Sequence, residues 1–383
     1  MGVRVELISG IEAVSAPEWD ALAGDDDPFV EHAFLHALEE SRSVGRGTGW
    51  TPVHVVARDE QGLVGALPLY VKQHSYGEYI FDFGWARAAE RAGIAYYPKL
   101  VSMVPFTPAT GRRILHRPGS DLGAVTRALA AGIAEAERRF AASSTHVLFA
   151  TEAERDALIG TGMLPRLSLQ FHWHNEGYES FDDYLARFRS ALRKQVRKER
   201  REVAGHGLEV RVVEGPELDA RDRKALELFY FDTCHKRGSG PYLTSAFFER
   251  LGTTLASRVV AVLAYKAGEP IAGTLNFQKG AHLYGRYWGC SEELSSLHFE
   301  CCYYQLIERA IAQRLARFEA GAQGTHKLRR GLLPAAVHSA HSIGDARLSR
   351  GVEEFLMHEA RDLQREMAAL AEHGPFHRDA ADR

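Results

Sequence analysis

Apolar residues recur at three- and four-residue spacings in several long segments of this chain, which is the pattern of amphipathic helices. The longest predicted helices run from about Leu122 to Phe140, Phe181 to Val203, Leu297 to Leu315 and Gly351 to Leu370. Shorter alternating or apolar runs predict strands at Val3–Ile8, Pro52–Arg58, Leu63–Lys72, Glu78–Phe83, Thr145–Ala150, Leu167–Trp173, Leu208–Val213, Arg258–Lys266, Pro270–Gln278, Ala281–Gly289 and Arg317–Gly321. This mixture of helices and strands predicts an α/β fold.

The same order of elements occurs twice along the chain. Each half contains helices, a strand–turn–strand pair, a further strand, and a long amphipathic helix that leads into a strand. In the second half this last pair lies within Leu297–Pro334. The repeat predicts a duplicated α/β unit with a largely antiparallel sheet. We place the domains at residues 1–173 and 174–383, the second carrying the Phe181–Val203 helix and the C-terminal helix.

The composition is that of a soluble globular protein, with 45% hydrophobic and 25% charged residues among 383. That length suits two domains of about 150–200 residues. The net charge of −3 argues against a protein that binds polyanions over its whole surface. The longest apolar runs are shorter than the ~18–20 residues of a membrane helix, and the N-terminus lacks the features of a signal peptide. We therefore expect a cytoplasmic protein.

The cysteines indicate reduced thiols. Cys234, Cys290, Cys301 and Cys302 form no CxxC pair, so neither a disulfide framework nor a zinc site is expected. His298 lies at helical spacing from Cys301 and Cys302, but no second ligand pair is nearby. We therefore predict no metal.

The segment after the Leu297–Leu315 helix carries a dense polar cluster. Glu319 lies on a predicted strand, and His326, Lys327 and Arg330 follow in a glycine-containing turn. A carboxylate or imidazole beside an anion-binding turn is a suitable general base. The alternative is a buried ion pair between Glu319 and one of the cations that follow it.

The Phe181–Val203 helix combines an apolar stripe with a high density of basic residues. These are Arg187, Arg189, Arg193, Lys194, Arg197, Lys198, Arg200 and Arg201. Such a helix suits the phosphates of a nucleic acid, a phospholipid or a phosphorylated cofactor, and the candidate phosphate ligands are Arg193, Lys194, Arg197 and Lys198. The alternative is a solvated surface whose cations pair with Glu199 and Glu202.

Two further segments carry aromatic candidates. In the predicted strand Ala281–Gly289, alternation places Arg286 and Trp288 on one face and Tyr287 on the other. Arg286 is then either a structural arginine between aromatic rings or a substrate anchor. The loop Tyr96–Phe106 is rich in aromatic residues and proline. The motifs GxGxxG, GxxxxGK[ST], HExxH and GxSxG are all absent, which argues against the usual dinucleotide, P-loop, zinc-protease and serine-hydrolase chemistries.

Several segments of the chain resemble the FemAB-like, GNAT-type family, which is described as a family of peptidoglycan biosynthesis or recognition. The similarity runs from about Trp19 to Glu359. It rests on the segments Tyr97–Lys99, Val104–Pro108, Gln170–Trp173, Leu283–Gly289, Leu297–Glu300 and Glu319–Gly324. The resemblance implies two tandem acyl-CoA N-acyltransferase (GNAT)-like domains, each a mixed, largely antiparallel sheet flanked by helices. Related enzymes transfer an aminoacyl group from aminoacyl-tRNA to an amine of a peptidoglycan precursor, and more distant relatives use acyl-CoA.

The chain departs from the family pattern in two places. The pyrophosphate-binding pattern of acetyl-CoA-dependent GNAT enzymes, Gln/Arg-x-x-Gly-x-Gly/Ala, is absent from the expected strand–helix junctions, which argues against ordinary acetyl-CoA use. Thr325 stands where a glutamate is expected, and Leu332-Leu333 replaces an aromatic residue. Either the carboxylate role has moved to Glu300 or Glu319, or the substrate differs.

Together these features predict an N-acyltransferase or aminoacyltransferase that moves an acyl group from acyl-CoA or aminoacyl-tRNA to an amine, such as that of a peptide or peptidoglycan precursor. Glu319 or His326 would be the base, and Tyr287 would protonate the leaving group. The candidate substrate-binding residues are Tyr97, Lys99, Phe106, Arg286, Trp288, His298, Glu300, Gln323, Lys327 and Arg330. Two alternatives stay open: a non-catalytic binding module for cell-wall peptide or nucleic acid, and a subunit that associates through its sheet edge.

Overall fold

The computed structural model describes residues 2–238, 240–321 and 324–377. Its elements follow in this order: β1 (Arg4–Ile8), α1 (Ala16–Ala23), α2 (His32–Glu40), β2 (Trp50–Pro52), β3 (His54–Asp59), β4 (Gly62–Leu67), β5 (Tyr70–Lys72), α3 (Phe83–Arg91), β6 (Lys99–Ser102), β7 (Leu115–His116), α4 (Leu122–Phe140), β8 (Ser144–Ala150), α5 (Glu152–Ile159), β9 (Leu164–His174), α6 (Phe181–Ala186), α7 (Ser190–Gly205), β10 (Glu209–Glu214), α8 (Ala220–Lys236), α9 (Ser245–Glu249), β11 (Val259–Lys266), β12 (Glu269–Lys279), β13 (His282–Cys290), α10 (Leu297–Phe299), α11 (Gln305–Ala312), β14 (Arg317–Glu319), β15 (Leu333–Ile343) and α12 (Ala346–Glu372). A π turn, Glu300–Tyr304, joins α10 to α11. Short 3₁₀ helices lie at Ile11–Ala13, Gly215–Glu217, Arg250–Gly252, Ala256–Arg258 and Thr325–Arg330.

The chain divides into two compact units. Unit 1 is Met1–Leu169 with Ala336–Arg365, and unit 2 is Gln170–Ala335 with Glu366–Arg383. This division differs from the domains placed at residues 1–173 and 174–383, because most of β15 and α12 belongs with the first half. The reason is hydrogen bonding, since the C-terminal part of β15 pairs antiparallel with β8. That long-range pairing is not visible in local periodicity.

Unit 1 contains two sheets, with strand orders β1-β3-β4-β7 and β15-β8-β6-β5-β2. Helix α4 buries the predicted apolar stripe of Val125, Leu129, Ile133 and Ala136 against the unit 1 core. Gly132 allows a close approach, because a Cβ there would lie 2.3 Å from Val55 Cγ1. The sequence pattern and the packing therefore agree for this helix.

Unit 2 is built on a sheet of order β10-β11-β12-β13-β14, followed by the C-terminal part of β9. The pairs from β10 through β13 are antiparallel, as predicted for a largely antiparallel sheet, whereas β13 and β14 are parallel. Val259 to Tyr265 of β11 are all buried, as expected for an interior strand. Helix α8 packs on this sheet through Leu226 and Phe229, both almost fully buried.

A parallel strand pair joined by helix occurs in both units. In unit 1, β6 and β8 are parallel and α4 connects them. In unit 2, β13 and β14 are parallel and the α10–α11 segment connects them. A parallel pair needs such a crossover connection. The helix–strand unit that the sequence predicts in both halves of the chain therefore occurs in both units of the structure.

Two predicted elements differ in the structure, and one observed strand was missed. Glu78–Phe83 is not a strand, because Glu78 and Asp82 are buried beside Lys99 and α3 begins at Phe83. The helix predicted from Phe181 to Val203 is interrupted between α6 and α7, where Arg189 donates its N–H to the Pro375 carbonyl. Strand β15 was not predicted. In each case a tertiary contact decides the local structure.

We expect Gly289→Ala to destabilise unit 2 by about 1–3 kcal/mol, the usual cost of overpacking. A Cβ at Gly289 would lie 2.3 Å from the backbone oxygen of Phe229, so α8 would have to move away from β13. Gly285→Ala on the same strand is the matched control, because its nearest neighbour, Phe318, would be 3.4 Å away. Urea unfolding measures both. Equal midpoints for the two variants would contradict the proposed close approach.

Candidate functional site

Strands β13 and β14 part soon after they meet. They run parallel for three residue pairs, the last being Tyr284↔Glu319. β13 continues to Cys290, whereas β14 ends. β13 also carries a bulge at Arg286, which is skipped in the pairing with β12. The two strands therefore diverge after the pair Tyr284↔Glu319.

His326 lies in the 3₁₀ helix that follows β14, and aromatic rings surround it. Its Nε2 is 2.9 Å from the Tyr303 hydroxyl. Its ring centre lies 5.9 Å from that of His298 and 6.0 Å from that of Phe299. His298 in turn packs edge-on against Trp288 at 5.2 Å. These contacts hold the imidazole in place. The residue is also exposed, so the ring is accessible from solvent.

Both histidines of this cluster are neutral near pH 7. Burial, and then the nearby charges of Arg330 and Lys327, lower the pKa of His326 below its ordinary value of 6.5. Burial is also the main cause that lowers the pKa of His298 to about 4. Burial raises the pKa of the Tyr303 hydroxyl, which therefore stays protonated. The cluster thus presents a neutral imidazole, the form that accepts a proton.

The two buried cations near His326 hold its 3₁₀ helix in place. Arg330 donates to both carboxylate oxygens of Glu199, at 2.8 and 3.0 Å, and to the backbone oxygen of His326 at 2.9 Å. Lys327 donates to the Gly321 carbonyl at 2.6 Å, and burial lowers its pKa to about 8. Arg330 therefore ties the helix to α7, and Lys327 ties it to the segment after β14.

Glu319, the other candidate base, ends β14 and is only 2% exposed. One carboxylate oxygen is 3.0 Å from the Arg317 guanidinium, and the other is 3.7 Å from His172 Nε2. Burial, and then the charge of Arg317, lower the pKa of His172 well below 6.5. Glu319 is therefore in a buried ion pair whose partner is Arg317, a residue on its own strand.

The β13 side chains separate into two groups. Trp288 contacts His298 and so belongs to the His326 cluster. Tyr287, the candidate proton donor, packs edge-on against Tyr230 of α8 at 4.9 Å. The Arg286 guanidinium lies 5.1 Å over the Tyr287 ring. The structure thus brings Trp288 to His326 and places Tyr287 against α8.

Glu300, a candidate for substrate binding, lies buried in the π turn. Arg200 of α7 donates to its two oxygens at 3.0 and 3.2 Å, and Gln305 donates to one of them at 2.7 Å. These contacts join α7 to the π turn.

The four phosphate-binding candidates lie on α7 but in different settings. Arg193 donates to the Ala186 carbonyl at 3.3 Å, Arg197 pairs with Asp182 at 3.1 Å, and Lys194 and Lys198 are exposed. A groove of about 580 Å³ lies beside the helix. Its lining includes Phe181, Asp182, Lys194, Arg197, Arg200 and Glu308. Of the four candidates, the groove includes Lys194 and Arg197.

The candidates in unit 1 are mostly buried. Lys99 is fully buried, and it donates to Glu78 at 2.8 Å and to Asp82. Phe106 is 2% exposed, and Tyr97 is half-buried. Lys99 therefore belongs to a buried ion cluster of unit 1, and Phe106 belongs to its core.

Gln323 lies outside the described residues. Among the residues that the structure does describe, no group of three or more His, Cys, Asp or Glu side chains is placed to hold a metal ion. The helices in the same ranges include none with the length and hydropathy needed to cross a membrane.

Sequence reasoning missed Tyr303, the partner of His326, because the π turn changes the helical phase between His298 and Tyr303. It also assigned Glu199 to cations of its own helix, whereas the structure pairs this carboxylate with Arg330. Glu199 lies three residues after the apolar Val196 and so falls on the apolar stripe of the helix, and an acidic residue at such a position was the available signal for a long-range pair.

The structure is similar to several solved proteins at low sequence identity. FemX is 12% identical, with a TM-score of 0.55, over 91% of this chain and 100% of FemX. A conserved protein of unknown function from Bacteroides thetaiotaomicron is 11% identical, with a TM-score of 0.52, over 86% and 97% of the two chains. The L-PGS of Bacillus licheniformis is 10% identical, with a TM-score of 0.50, over 85% and 95%. At these identities the likeness concerns the fold.

A comparison with curated proteins yields no match. The predicted α/β fold built on a repeated unit is confirmed by the parallel strand pair in each unit, and the likeness to FemX supports this fold. The FemAB-like model, described as peptidoglycan biosynthesis/recognition, matches residues 10–378, which is nearly the whole chain. The protein therefore belongs to the FemAB-like family.

Proposed function

We propose that this protein is an N-acyltransferase or aminoacyltransferase whose reaction site lies where β13 and β14 part. The observation that carries the proposal is the accessible, neutral imidazole of His326, fixed by Tyr303 at 2.9 Å. Trp288 and His298 lie in the same cluster and offer an apolar, aromatic wall for a substrate. The proposed acyl donor is an acyl-CoA or an aminoacyl-tRNA, and the acceptor is a primary amine of a peptide or peptidoglycan precursor.

In the proposed reaction the acceptor nitrogen attacks the carbonyl carbon of a thioester or ester. An N–C bond forms, and the C–S or C–O bond breaks. With Nε2–H of His326 donating to the Tyr303 oxygen, Nδ1 accepts the proton that the amine loses. The imidazolium then returns this proton to the departing thiolate or alkoxide. His326 takes the role of base because Glu319 is almost fully buried and paired with Arg317.

The backbone of β13 supplies the second element of this chemistry. As the amine attacks, the carbonyl oxygen becomes negatively charged and needs hydrogen-bond donors already in position. We assign this role to backbone N–H groups close to the end of the β13–β14 pairing, at Tyr284↔Glu319. Such positioning accounts for a large part of the rate in acyl transfer.

The direct test is a transfer assay with purified protein. Acyl-CoA thioesters and an aminoacyl-tRNA are the donors, and a lysine-containing stem peptide is the acceptor. We expect mass spectrometry to show the acceptor heavier by one acyl group with one donor class. Absence of any acylated product with either donor class would reject the transferase.

We expect the rate of transfer to rise with pH and then reach a plateau. The base must be unprotonated, and the pKa of His326 is lowered from 6.5, so the midpoint of the rise in kcat/KM, calculated for the unprotonated acceptor amine, should lie below 6.5. The pH profile of His326→Gln should lack this rise in its residual activity. An unchanged acidic limb in the variant would assign the titration to another group.

The groove beside α7 favours a second candidate function, a nucleic-acid or phosphate-binding module. Lys194, Arg197 and Arg200 lie on its wall, although Asp182 and Glu308 partly offset their charge. Binding of RNA through these cations should weaken steeply with rising salt. RNA binding with that salt dependence, but without acyl transfer, would favour this second function.

A further inference from the structure

Unit 1 contains a pocket that the proposed transfer reaction does not use. It opens between α3 and α12 with a volume of about 530 Å³, which is in the range of small-molecule sites. Its wall includes Phe81, Trp85 and Phe355. Phe81 and Phe355 are each 47% exposed, so two large aromatic rings stand at its rim in contact with solvent. Aromatic side chains grouped at the rim of one pocket form the kind of exposed apolar patch that marks a ligand-binding groove.

A buried carboxylate also lines this pocket. Asp82 is 3% exposed. Its Oδ2 accepts hydrogen bonds from the Tyr96 hydroxyl at 2.6 Å and from Lys99. Its Oδ1 has no hydrogen-bond partner among the residues that the structure describes. A buried charged oxygen without a donor is costly, and a ligand donor would remove that cost.

The buried ion cluster of Asp82, Glu78 and Lys99 carries an excess of negative charge. Lys99 is paired with both Asp82 and Glu78. Burial raises the pKa of Glu78 to about 7, so this carboxyl is mainly ionised at about pH 8. Burial lowers the pKa of Lys72 to about 6, so this amine is neutral there. Two carboxylates then face one ammonium, which leaves one negative charge in excess.

The other charged groups around the pocket do not change this balance. Arg166 is paired with Glu359 through two bonds of 2.8 Å, and Arg347 is paired with Asp345 at 3.2 Å. Two histidines lie behind the pocket, and both are neutral. Burial lowers the pKa of His146 to about 3 and that of His341 well below its ordinary value.

We propose that this unit 1 pocket binds an organic amine, with its ammonium at Asp82 Oδ1 and its apolar body against Trp85 and Phe355. The carboxylate supplies a charge-assisted hydrogen bond, and the aromatic rings supply apolar and cation–π contacts. The proposal does not depend on the transfer reaction, because it concerns binding in unit 1 without any acyl donor. Failure of one therefore leaves the other intact.

Calorimetric titration of the full chain at about pH 8 tests the proposal with three probes of one shape. These are 4-phenylbutylamine, 4-phenylbutanol and 4-phenylbutyrate. We expect the amine to bind with one site per chain. The alcohol and the acid should bind at least about tenfold more weakly, because each lacks the charge-assisted bond to Asp82.

A pocket-filling variant locates the binding. Gly351 of α12 lines the pocket, and a Cβ there would meet nothing within 4 Å, so Gly351→Leu fills space without a clash. Gly205→Leu, at the end of α7, is the matched control with equally open surroundings. We expect Gly351→Leu to weaken amine binding at least about tenfold and Gly205→Leu to leave it unchanged.

Three results would overturn the proposal. Absence of amine binding would reject the site. An alcohol or acid that binds as tightly as the amine would show that Asp82 does not select a cation. Full amine affinity in Gly351→Leu would place the binding elsewhere.

Discussion

His326→Gln is expected to lower kcat of acyl transfer by about 10²–10⁴-fold, the usual contribution of a general base. Glutamine retains a polar side chain but cannot accept the proton of the acceptor amine. The residue is exposed, so the stability of the fold should change little. Single-turnover kinetics with a saturating donor would measure the chemical step directly.

Tyr303→Phe and Glu319→Gln are the matched variants for this prediction. Tyr303→Phe removes the hydroxyl that fixes the imidazole and should reduce kcat by less than His326→Gln. Glu319→Gln keeps the side-chain shape but weakens the pairing with Arg317. Abolished transfer in Glu319→Gln, with full activity in His326→Gln, would assign the base to Glu319 instead.

Lys99→Met is expected to destabilise unit 1 by about 3–5 kcal/mol, the cost of removing one partner from a buried ion pair. Lys99 is fully buried between Asp82 and Glu78. Methionine fills similar space but leaves two buried carboxylates without their ammonium. Urea unfolding followed by a unit 1 signal measures this loss.

Lys72→Met provides the contrast within the same cluster. The pKa of Lys72 falls from 10.5 to about 6 on folding, so the unfolded chain binds more protons than the folded one between these values. This group therefore makes stability rise with pH in that interval. Lys72→Met should lose this rise and be less destabilising than Lys99→Met at pH 7. An equal loss in the free energy of unfolding in both variants would contradict a neutral Lys72 beside a charged Lys99.

Much of the fold could be predicted from local sequence because its central elements are strongly periodic. Helix α4 and strands β11 to β13 agree with their apolar patterns, since each buries a continuous face. Strand β15 was not predicted, because its sequence lacks such a pattern. Its buried positions include Ser339 and His341, which are hydrogen-bonded to each other at 3.0 Å. Polar residues that satisfy one another in a core leave no hydrophobic pattern to detect.

Part of the candidate site could be predicted from the sequence, because several of its residues are neighbours along the chain. His326, Lys327 and Arg330 are close in sequence, so their clustering follows from the turn alone. Their partners come from other elements: Tyr303 from the π turn and Glu199 from α7. Those contacts depend on how α7 and the helical connection pack around the end of β14, which local spacing does not encode.

The π turn at Glu300–Tyr304 also allows one helical segment to contact both the core and the proposed reaction site. An added residue rotates the helical residues before it by about 100° relative to the residues after it. The part after the turn can therefore keep Leu306 and Ile307 in the core, while the turn itself directs Tyr303 to His326. Deletion of one residue here would remove this rotation, so Leu306 and Ile307 could not stay in the core while Tyr303 contacts His326. The π turn thus brings Tyr303 to the proposed reaction site without displacing Leu306 and Ile307 from the core.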